Sequence, residues 1–358
     1  MKLEDLGWDD FFQRQLEAAG PGLIAARVTA EYAGCYGVSF AGGEALASIS
    51  GRLRHAAASK GEMPVVGDWV MLSDKPGAER LPIRSVLARK SRLSRKASDG
   101  ESAEQPIAAN ADTIFVVQGL DNNYSPLRLE RFLAAVRESG AAPAVILNKT
   151  DICNCVAERA AETALRAPGV PVIALDSVSR RGYELLIPFL AKGRTLAFIG
   201  SSGVGKSTII NNLTGNKKQK TAAVREKDSK GAHTTTTRRL IRLDGGALLI
   251  DTPGMKGFAA WNAPAGLKDG FSDIEELALN CRFTNCGHET GPGCAVRKAL
   301  DSGALDQARY SNCLKMKKEA ACRKAKTAQA EQIKRKAGKK NITRALKNLY
   351  KNHHDQAR

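Results

Sequence analysis

The order of two short motifs constrains the fold of this chain more than any other feature. The run Gly200-Ser201-Ser202-Gly203-Val204-Gly205-Lys206-Ser207 fits the pattern GxxxxGK[ST], with a strand-like run before it and a helix-like run after it. Asn148-Lys149-Thr150-Asp151 also ends a strand-like run, but it comes about fifty residues earlier. Two readings are open at this point: one nucleotide site written in an unusual order, or two chance matches.

The residue types of the first motif suit a triphosphate. Glycines let backbone N–H groups surround the β-phosphate, and the start of the following helix adds a favourable dipole. Lys206 can reach the β- and γ-phosphates, while Ser207, with Thr208 beside it, can ligate Mg²⁺. The motif therefore predicts a phosphate loop, which by itself indicates only a nucleotide triphosphatase.

The surrounding pattern favours the single-site reading. From Ile107 onwards strand-like runs alternate with helix-like runs, and the latter begin at Ser125, Cys153, Arg181 and Gly205. Such alternation predicts a mostly parallel sheet with helices on both faces, which binds ligands at the carboxyl ends of its strands. A third motif, Asp251-Thr252-Pro253-Gly254, also follows a strand-like run. A circular permutation joins the original termini of a domain and opens its chain elsewhere, so each strand keeps its neighbours in the sheet. A circularly permuted sheet therefore accounts for all three motifs.

The motif at 148–151 predicts the base. A carboxylate at Asp151 can accept hydrogen bonds from both N1–H and the exocyclic amine of guanine, whereas adenine offers no such pair of donors. Lys149 can lie along the ring face, and the backbone of Ser177 is a candidate for one further contact. Asp251 can hold Mg²⁺ through water, and the Gly254 amide can meet the γ-phosphate. We therefore expect GTP with Mg²⁺.

The residues before the sheet predict a helix and a small barrel. In the first twenty residues, apolar side chains stand among charged ones, which predicts an amphipathic helix that ends at Gly20-Pro21-Gly22. Between Ile24 and Leu93, five β-type runs separated by Gly and Pro predict a barrel, with an OB-fold as the natural candidate and an SH3-like barrel as the alternative. The basic run 89–96 ends this region, and we interpret 97–106 as a linker or an ordered loop.

A compact cysteine cluster near the end of the chain predicts a metal site. Cys281, Cys286, His288 and Cys294 place three thiols and one imidazole within fourteen residues. This set closes a tetrahedral zinc site without an open position, so we expect a structural zinc. The other cysteines show no comparable grouping, and we interpret them as core or surface thiols: Cys35, Cys153, Cys155, Cys313 and Cys322.

The charge is large and uneven. The chain has 358 residues and a net charge of +18. From Lys315 to Arg358, fifteen Lys and Arg face three acidic residues, which places +12 of that charge in the tail. This favours a polyanionic partner such as nucleic acid or an anionic membrane surface, although a solvated terminal helix is the plain alternative. The sequence shows no signal peptide and no membrane-spanning apolar run, so we expect a cytoplasmic protein with reduced cysteines.

The segment after the cysteine cluster, residues 295–320, is predicted to be helical.

Together with "AANADTIFVV", "GAHTTTTR" and the cysteine cluster, these motifs resemble the circularly permuted GTPases, and among them the small ribosomal subunit biogenesis GTPases of the RsgA (YjeQ) type. The resemblance covers essentially the whole chain. It implies a multidomain α/β protein with an N-terminal helical extension at 1–23, an OB-fold at 24–97, a circularly permuted P-loop GTPase domain at 98–262, and a zinc-binding helical domain with a basic tail at 263–358. It implies a monomer that hydrolyses GTP to GDP on the small ribosomal subunit, contacts rRNA but no membrane, and holds one structural Zn²⁺ and a Mg²⁺ with the nucleotide.

The catalytic group is the least determined part of the site. Ras-type enzymes orient water with a Gln after the Asp-x-x-Gly glycine, but this chain has Met255 there, so we expect a slow intrinsic rate that the partner completes. His233 resembles the family's switch histidine and is our candidate for positioning water, together with Lys206 and Gly254; the alternative is an ordinary loop residue. Either Thr235 or Thr236 of the switch is expected to ligate Mg²⁺.

Three functions fit these features. The leading hypothesis is a GTPase that assists late maturation of the small subunit and leaves after hydrolysis. A non-hydrolysing, GTP-gated RNA-binding switch is the main alternative, and a GTPase serving RNA modification or metal delivery is the third. The permutation places the segment 251–254 directly before the zinc domain, so nucleotide-driven movement is expected to pass into that domain.

Overall fold

The computed structural model describes residues 2–56, 60–73, 78–96, 104–215, 238–251, 270–284, 286–288 and 292–322, together with 325, 328 and 329. These residues form an N-terminal helical segment, a β-barrel, an α/β unit and a small helical unit. Among them, no helix combines the length and the apolar character that crossing a bilayer requires.

The N-terminal segment packs against the barrel through its aromatic residues. A 3-10 helix, Leu3–Leu6, precedes helix α1, Asp10–Ala19. The Asp9 side chain accepts from the Phe11 amide and caps α1, which ends at Gly20 as the sequence predicts. Trp8 and Phe12 lie 4.7 and 5.8 Å from Trp69 of the barrel, measured between ring centroids. The amphipathic face is therefore buried on the barrel rather than left in solvent.

The first five strands close into an OB-like barrel. They are β1 (Leu23–Tyr32), β2 (Cys35–Phe40), β3 (Gly43–Ile49), β4 (Trp69–Ser73) and β5 (Leu81–Val86), with helix α2 (Gly51–Ala56) after β3. The pairing order is β1-β2-β3-β5-β4, and β4 returns to pair with β1. β3 and β5 pair in parallel while the other neighbours are antiparallel. This closed five-strand pairing confirms the expected OB-like barrel.

Of the expected linker or ordered loop at 97–106, residues 97–103 lie outside the described residues and 104–106 belong to a strand. β6 (Arg92–Lys96) and β7 (Glu104–Ala109) form a separate antiparallel pair. The buried side chains of Leu93 and Ile107 join the apolar core of the α/β unit. Residues 92–96 are thus a strand that serves the following unit through Leu93, a role that the basic residues around it concealed.

The α/β unit contains the expected parallel sheet. Its strands are β8 (Thr113–Gly119), β9 (Ala142–Asn148), β10 (Val172–Leu175), β11 (Thr195–Gly200), β12 (Arg239–Arg242) and β13 (Leu248–Asp251). The order is β10-β9-β8-β11-β13-β12, and only β12 runs antiparallel. β12 also meets β1 of the barrel at Ala30 and Arg239, which joins the two units edge to edge.

Helices cover both faces of this sheet. They are α3 (Pro126–Ser139), α4 (Val156–Arg166) and α5 (Lys206–Leu213). Ser125 caps α3 and Pro126 occupies its first turn, as predicted. The helix expected after Arg181 is instead a 3-10 helix, Tyr183–Phe189, with Pro188 inside it. Proline lacks an N–H and clashes with the preceding turn of an α-helix, so the apolar spacing was misleading here.

The C-terminal unit packs on helix α3. It comprises α6 (Ser272–Leu279), α7 (Ala295–Asp301) and a helix at 307–322, here α8. The helical character expected for 295–320 is present as two helices, because Gly303 turns the chain at φ 74° between them. Ala134 of α3 belongs to the apolar cluster of this unit, with Phe271, Val296 and Tyr310. The C-terminal unit therefore shares a core with the α/β unit.

Candidate nucleotide-binding site

The motif residues lie along one edge of the parallel sheet. Asn148 ends β9, Gly200 ends β11 and Asp251 ends β13. β8 separates the first two strands, and its residues Gly119 and Val117 pair with Asn148 and Gly200 respectively. The motifs that stand in an unusual order in the sequence are therefore neighbours in space, at the edge where such sheets bind ligands.

The buried side chain of Asn148 connects the base motif with the phosphate loop. Its Nδ2 donates to the carbonyl of Val204 at 2.8 Å and to Oγ of Ser177 at 3.1 Å, and its Oδ1 accepts from the Ser177 amide at 3.0 Å. The Ser177 carbonyl accepts in turn from Nδ2 of Asn212 at 2.7 Å. Because each hydrogen bond constrains both distance and orientation, Asn148 fixes its own loop relative to the loops that contain Ser177 and Val204.

Glycine is required where these loops meet. Gly205 has φ 97°, and a Cβ there would collide with Nδ2 of Asn148. Gly200 has φ 145°, and a Cβ there would collide with the Val117 carbonyl. The glycines of the motif thus permit both the turn of the loop and its close approach to the base motif.

Lys206 is held by its own loop. Its Nζ donates to the carbonyls of Gly200 and Ser201 at 2.8 and 2.5 Å. Burial lowers the pKa of Lys206 to about 8, because a cation is disfavoured away from water. An anionic phosphate beside Nζ would restore the charged form.

Lys149 is positioned by a residue that the sequence pattern did not single out. Its φ of 68° turns the chain from β9 into the 3-10 helix Thr150–Ile152, which carries Asp151 in an exposed position. Nζ of Lys149 donates to Asp121 at 2.6 Å. Although burial opposes it, hydrogen bonds from Lys149 and from the Asn123 amide keep the pKa of Asp121 below its ordinary value.

Asn123 also reaches the phosphate loop, where its Nδ2 donates to the Ser202 carbonyl at 2.9 Å. Asp121 and Asn123 follow β8 directly. The rule that ligand-binding groups collect at the carboxyl ends of parallel strands would have found both, since β8 was predicted correctly.

The remaining predicted residues divide into two groups. On α5, Ser207 and Thr208 occupy the first turn and are half-buried, while Ser202 and Gly203 of the loop are exposed. Several others lie outside the described residues: Thr252, Pro253, Gly254, Met255, His233, Thr235 and Thr236. Asp251 is the last described residue of its motif and is half-buried.

The cysteine cluster forms a compact donor set in the C-terminal unit. The ligand atoms of Cys281, Cys286, His288 and Cys294 all lie within 4.8 Å of one another. The Sγ atoms of Cys281 and Cys294 are 3.8 Å apart, and they lie 3.6 and 3.4 Å from Nδ1 of His288. A tetrahedron with Zn–S bonds of about 2.3 Å has edges of about 3.8 Å, so the donors fit such an ion. This cluster could hold a metal ion.

Comparison with known proteins agrees with this geometry. Residues 86–261 match the model of the RsgA GTPase family. A small ribosomal subunit biogenesis GTPase RsgA from Opitutus terrae is 40% identical over 333 residues, which span 90% of each chain. The chain belongs to the RsgA GTPase family. It is therefore a GTP hydrolase, and the inverted motif order is the circular permutation of a GTPase domain.

Two solved structures share the fold of this RsgA family member. YjeQ from Thermotoga maritima superimposes with a TM-score of 0.62 at 24% identity, covering 84% of this chain and 99% of its own. YloQ, described as a circularly permuted GTPase, gives a TM-score of 0.57 at 22% identity, with 84% and 96% covered. Both likenesses concern the fold.

Proposed function

We propose that this chain binds the small ribosomal subunit, assists its late maturation and leaves after it has hydrolysed GTP there. The nucleotide part of the proposal is carried by Asn148, whose hydrogen bonds to Val204 and Ser177 assemble the permuted motifs into one site. The ribosomal part rests on the family relatives, whose name states a role in small ribosomal subunit biogenesis. A guanine nucleotide is supported as the ligand by the position of Lys206 in the phosphate loop, by Asn148, and by the turn at Lys149 that presents Asp151.

The proposed nucleotide contacts divide between base and phosphates. Asp151 would accept hydrogen bonds from the guanine donors, and Lys149 would lie along the ring. Asn148, Thr150 and Ser177 would shape the pocket. The backbone N–H and carbonyl of Ser177 already bond to Asn148 and Asn212, which supports this shaping role. The loop from Gly200 to Thr208 would surround the phosphates. Ser207, Thr235 and, through water, Asp251 would hold Mg²⁺, which neutralises charge on the phosphates.

For hydrolysis, Lys206 would stabilise charge that develops on the transferred phosphoryl group, and the Gly254 amide would contact the γ-phosphate. His233 would orient the attacking water. With Met255 in place of a water-orienting Gln, the partner would complete the site, so turnover would rise on the subunit.

The domain roles follow from the same proposal. The OB-fold at 24–97 and the zinc domain with its basic tail at 263–358 would flank the GTPase domain at 98–262 and contact rRNA, and the extension at 1–23 would precede the OB-fold. Cys281, Cys286, His288 and Cys294 would hold a structural zinc, which the tetrahedral spacing of the donors supports. We propose that the protein is cytoplasmic, because its partner would be the small ribosomal subunit, and that it acts as a monomer.

Phosphate release tests the proposal. Purified protein is incubated with GTP and Mg²⁺, with and without small ribosomal subunits, and with large subunits as the control. We expect turnover to rise with small subunits only. Equal phosphate release in all three reactions would contradict the proposal and would favour GTP-gated binding without stimulated hydrolysis.

The basic tail can be tested separately. A chain ending at Lys315 is expected to bind small subunits more weakly, with a flatter dependence on salt, because fewer phosphate counterions are released. Its affinity for GDP should remain that of the full chain. Equal binding of subunits by the truncated and full-length chains would rule out the tail as an anchor.

A further inference from the structure

Two thiols lie beside the base motif. The Sγ atoms of Cys153 and Cys155 are 3.7 Å apart, and both residues are half-buried. Cys153 directly follows the 3-10 helix that carries Asp151, and Cys155 is the residue that precedes α4. The Cys155 side chain makes no capping hydrogen bond to the backbone of α4.

The pair is distinct from the other cysteines of the described residues. Three belong to the expected zinc set, Cys35 is buried, and Cys313 is buried in an apolar cluster. Cys322 is exposed without a neighbouring thiol in the part of the chain that the structure describes. The sequence-based interpretation of Cys153 and Cys155 as core or surface thiols is therefore incomplete, because the turn brings their sulfurs within 3.7 Å of each other.

We propose that Cys153 and Cys155 form a peroxide-sensitive dithiol, which closes to an intrachain disulfide and thereby weakens binding of guanine nucleotide. The proposal rests on the base-reading role proposed above for Asp151. It assigns this dithiol as a modification site built into the turn of the guanine motif.

The chemistry requires only hydrogen peroxide as the oxidant. One thiolate attacks a peroxide oxygen, so that an S–O bond forms while the O–O bond breaks and hydroxide leaves. The second thiol then attacks the resulting sulfenic sulfur, so that the S–S bond forms while the S–O bond breaks and water leaves. The two thiols lose two electrons and two protons, and one peroxide becomes two waters.

Closing the disulfide strains the side of the turn that carries Asp151. An S–S bond of about 2.05 Å requires the sulfurs to approach by about 1.7 Å. Cys155 is fixed at the start of α4, where its carbonyl accepts from the Arg159 amide at 3.1 Å and Val156 packs on the sheet core. Cys153 packs against the same core, and any movement of its backbone passes directly to the 3-10 helix Thr150–Ile152 before it, which carries Asp151.

The test uses the full-length, zinc-loaded protein. It is treated with hydrogen peroxide, free thiols are blocked, and the peptide containing residues 153–155 is examined by mass spectrometry. We expect the loss of two hydrogen atoms from this peptide and a fall of about ten-fold in affinity for a fluorescent GDP analogue, with both reversed by dithiothreitol. Because coupling is reciprocal, saturating GDP should slow formation of the disulfide.

Matched variants separate this pair from other thiols. Cys153→Ser and Cys153→Ala should bind GDP normally and lose the peroxide effect, whereas Cys322→Ser, which removes an exposed thiol, should keep it. The proposal is overturned if the 153–155 peptide retains two separate thiols, or if the disulfide forms and GDP affinity stays within about two-fold. The mass measurement does not depend on hydrolysis, so a failure here is distinguishable from a failure of the proposed ribosomal function.

Discussion

The side-chain amide of Asn148 donates to the carbonyl of Val204 at 2.8 Å, which joins the base motif to the phosphate loop that follows it in the chain. Both partners are buried, so the bond is shielded from water and its geometry is well defined. Because Gly205 lies against the same amide, the two loops are in direct backbone-to-side-chain contact. The permutation therefore preserves the contact on which one nucleotide site depends.

Nucleotide binding should be linked to protonation of Lys206. Its pKa of about 8 means that the free protein loses the ammonium charge above that pH, whereas a bound phosphate favours the charged form. Below pH 8 no proton is exchanged; above it, GDP binding should take up a proton and weaken by up to about ten-fold per pH unit. Calorimetric titration at pH 9, in two buffers with different ionisation enthalpies, measures this uptake.

Lys206→Arg provides the control for that titration, because a guanidinium stays protonated throughout this range. Whatever its affinity, the variant should take up no proton when it binds GDP. Equal proton uptake by the variant and the natural protein would assign the linkage to another group.

The C-terminal unit should depend on the carboxylate of Glu130. This buried residue of α3 accepts from Arg309 at 2.6 Å, Asn312 at 2.7 Å and Arg166 at 3.0 Å. Glu130→Gln removes the buried charge that the two arginines share, while Arg309 keeps Asp273 and Arg166 keeps Asp306 as partners. We expect a loss of about 1–3 kcal/mol in unfolding free energy, measured by urea denaturation, because a buried charged hydrogen-bond acceptor is lost.

A second pair across the same interface supplies the control. Arg131 and Glu319 also join α3 to α8, but about a third of each side chain is exposed. Exposed pairs contribute about 0–1 kcal/mol, so Glu319→Gln should change stability little. Similar losses for the two variants would contradict the central role of Glu130.

Arg27 should hold the N-terminal segment, the barrel and the α/β unit together. It is 1% exposed and donates to the carbonyls of Leu6, Gly67 and Asn110 and to Oγ1 of Thr195, and its guanidinium lies 5.3 Å from the ring centroid of Trp69. Arg27→Met removes this donor from the carbonyls of Leu6 and Asn110 and from Oγ1 of Thr195, whereas the Gly67 carbonyl still accepts from Nδ2 of Asn110. We expect a loss of about 3–5 kcal/mol in unfolding free energy, because each unsatisfied group costs about 1–3 kcal/mol.

Arg194→Met tests whether that loss is specific. Arg194 lies near the same interface and pairs with Asp112 at 3.2 Å, but 62% of its side chain is exposed. Its replacement should cost no more than about 1 kcal/mol. If Arg27→Met is tolerated as well as this variant, the hydrogen bonds of Arg27 do not hold the three parts together.

Removal of metal should destabilise the C-terminal unit. A strong chelator is expected to release one zinc per chain and to lower the temperature at which α6–α8 unfold, because four ligands would be left without their common ion. Cys286→Ala should have no stoichiometric zinc, whereas Cys322→Ser should retain it. Metal analysis and thermal denaturation measure both effects; stoichiometric zinc in the Cys286 variant would refute the ligand set.

The sheet, and the edge of it where the motif residues lie, were predicted well from the sequence because both depend on short-range patterns. Apolar strands such as Thr113–Gly119 and the glycine spacing of the phosphate loop are local signals, and the structure confirms them. The 3-10 helix at Tyr183–Phe189 was mistaken for an α-helix because apolar spacing outweighed Pro188 in the prediction.

Other features depend on contacts between residues distant in sequence. Neither the buried Arg27 nor the Glu130 cluster has a local signature, since Arg27 meets Thr195 and Glu130 meets Arg309 only after folding. Asp121 was missed for a different reason: it stands at a correctly predicted strand end, but it belongs to no motif that names its role. Catalytic His233 and switch Thr235 stay predictions, since they lie outside the described residues.

The nucleotide preference of Asp151→Asn tests the central claim most directly, since it asks whether the motif before the phosphate loop reads the base of the same ligand. GTP and XTP affinities are compared in the natural protein, in Asp151→Asn, and in Asp121→Asn, which loosens Lys149 without changing the base-reading carboxylate. We predict that Asp151→Asn weakens GTP and improves XTP, because an amide matches the added carbonyl of xanthine. Asp121→Asn should weaken both nucleotides and keep the preference for GTP. Unchanged selectivity for GTP in Asp151→Asn would contradict a single permuted site.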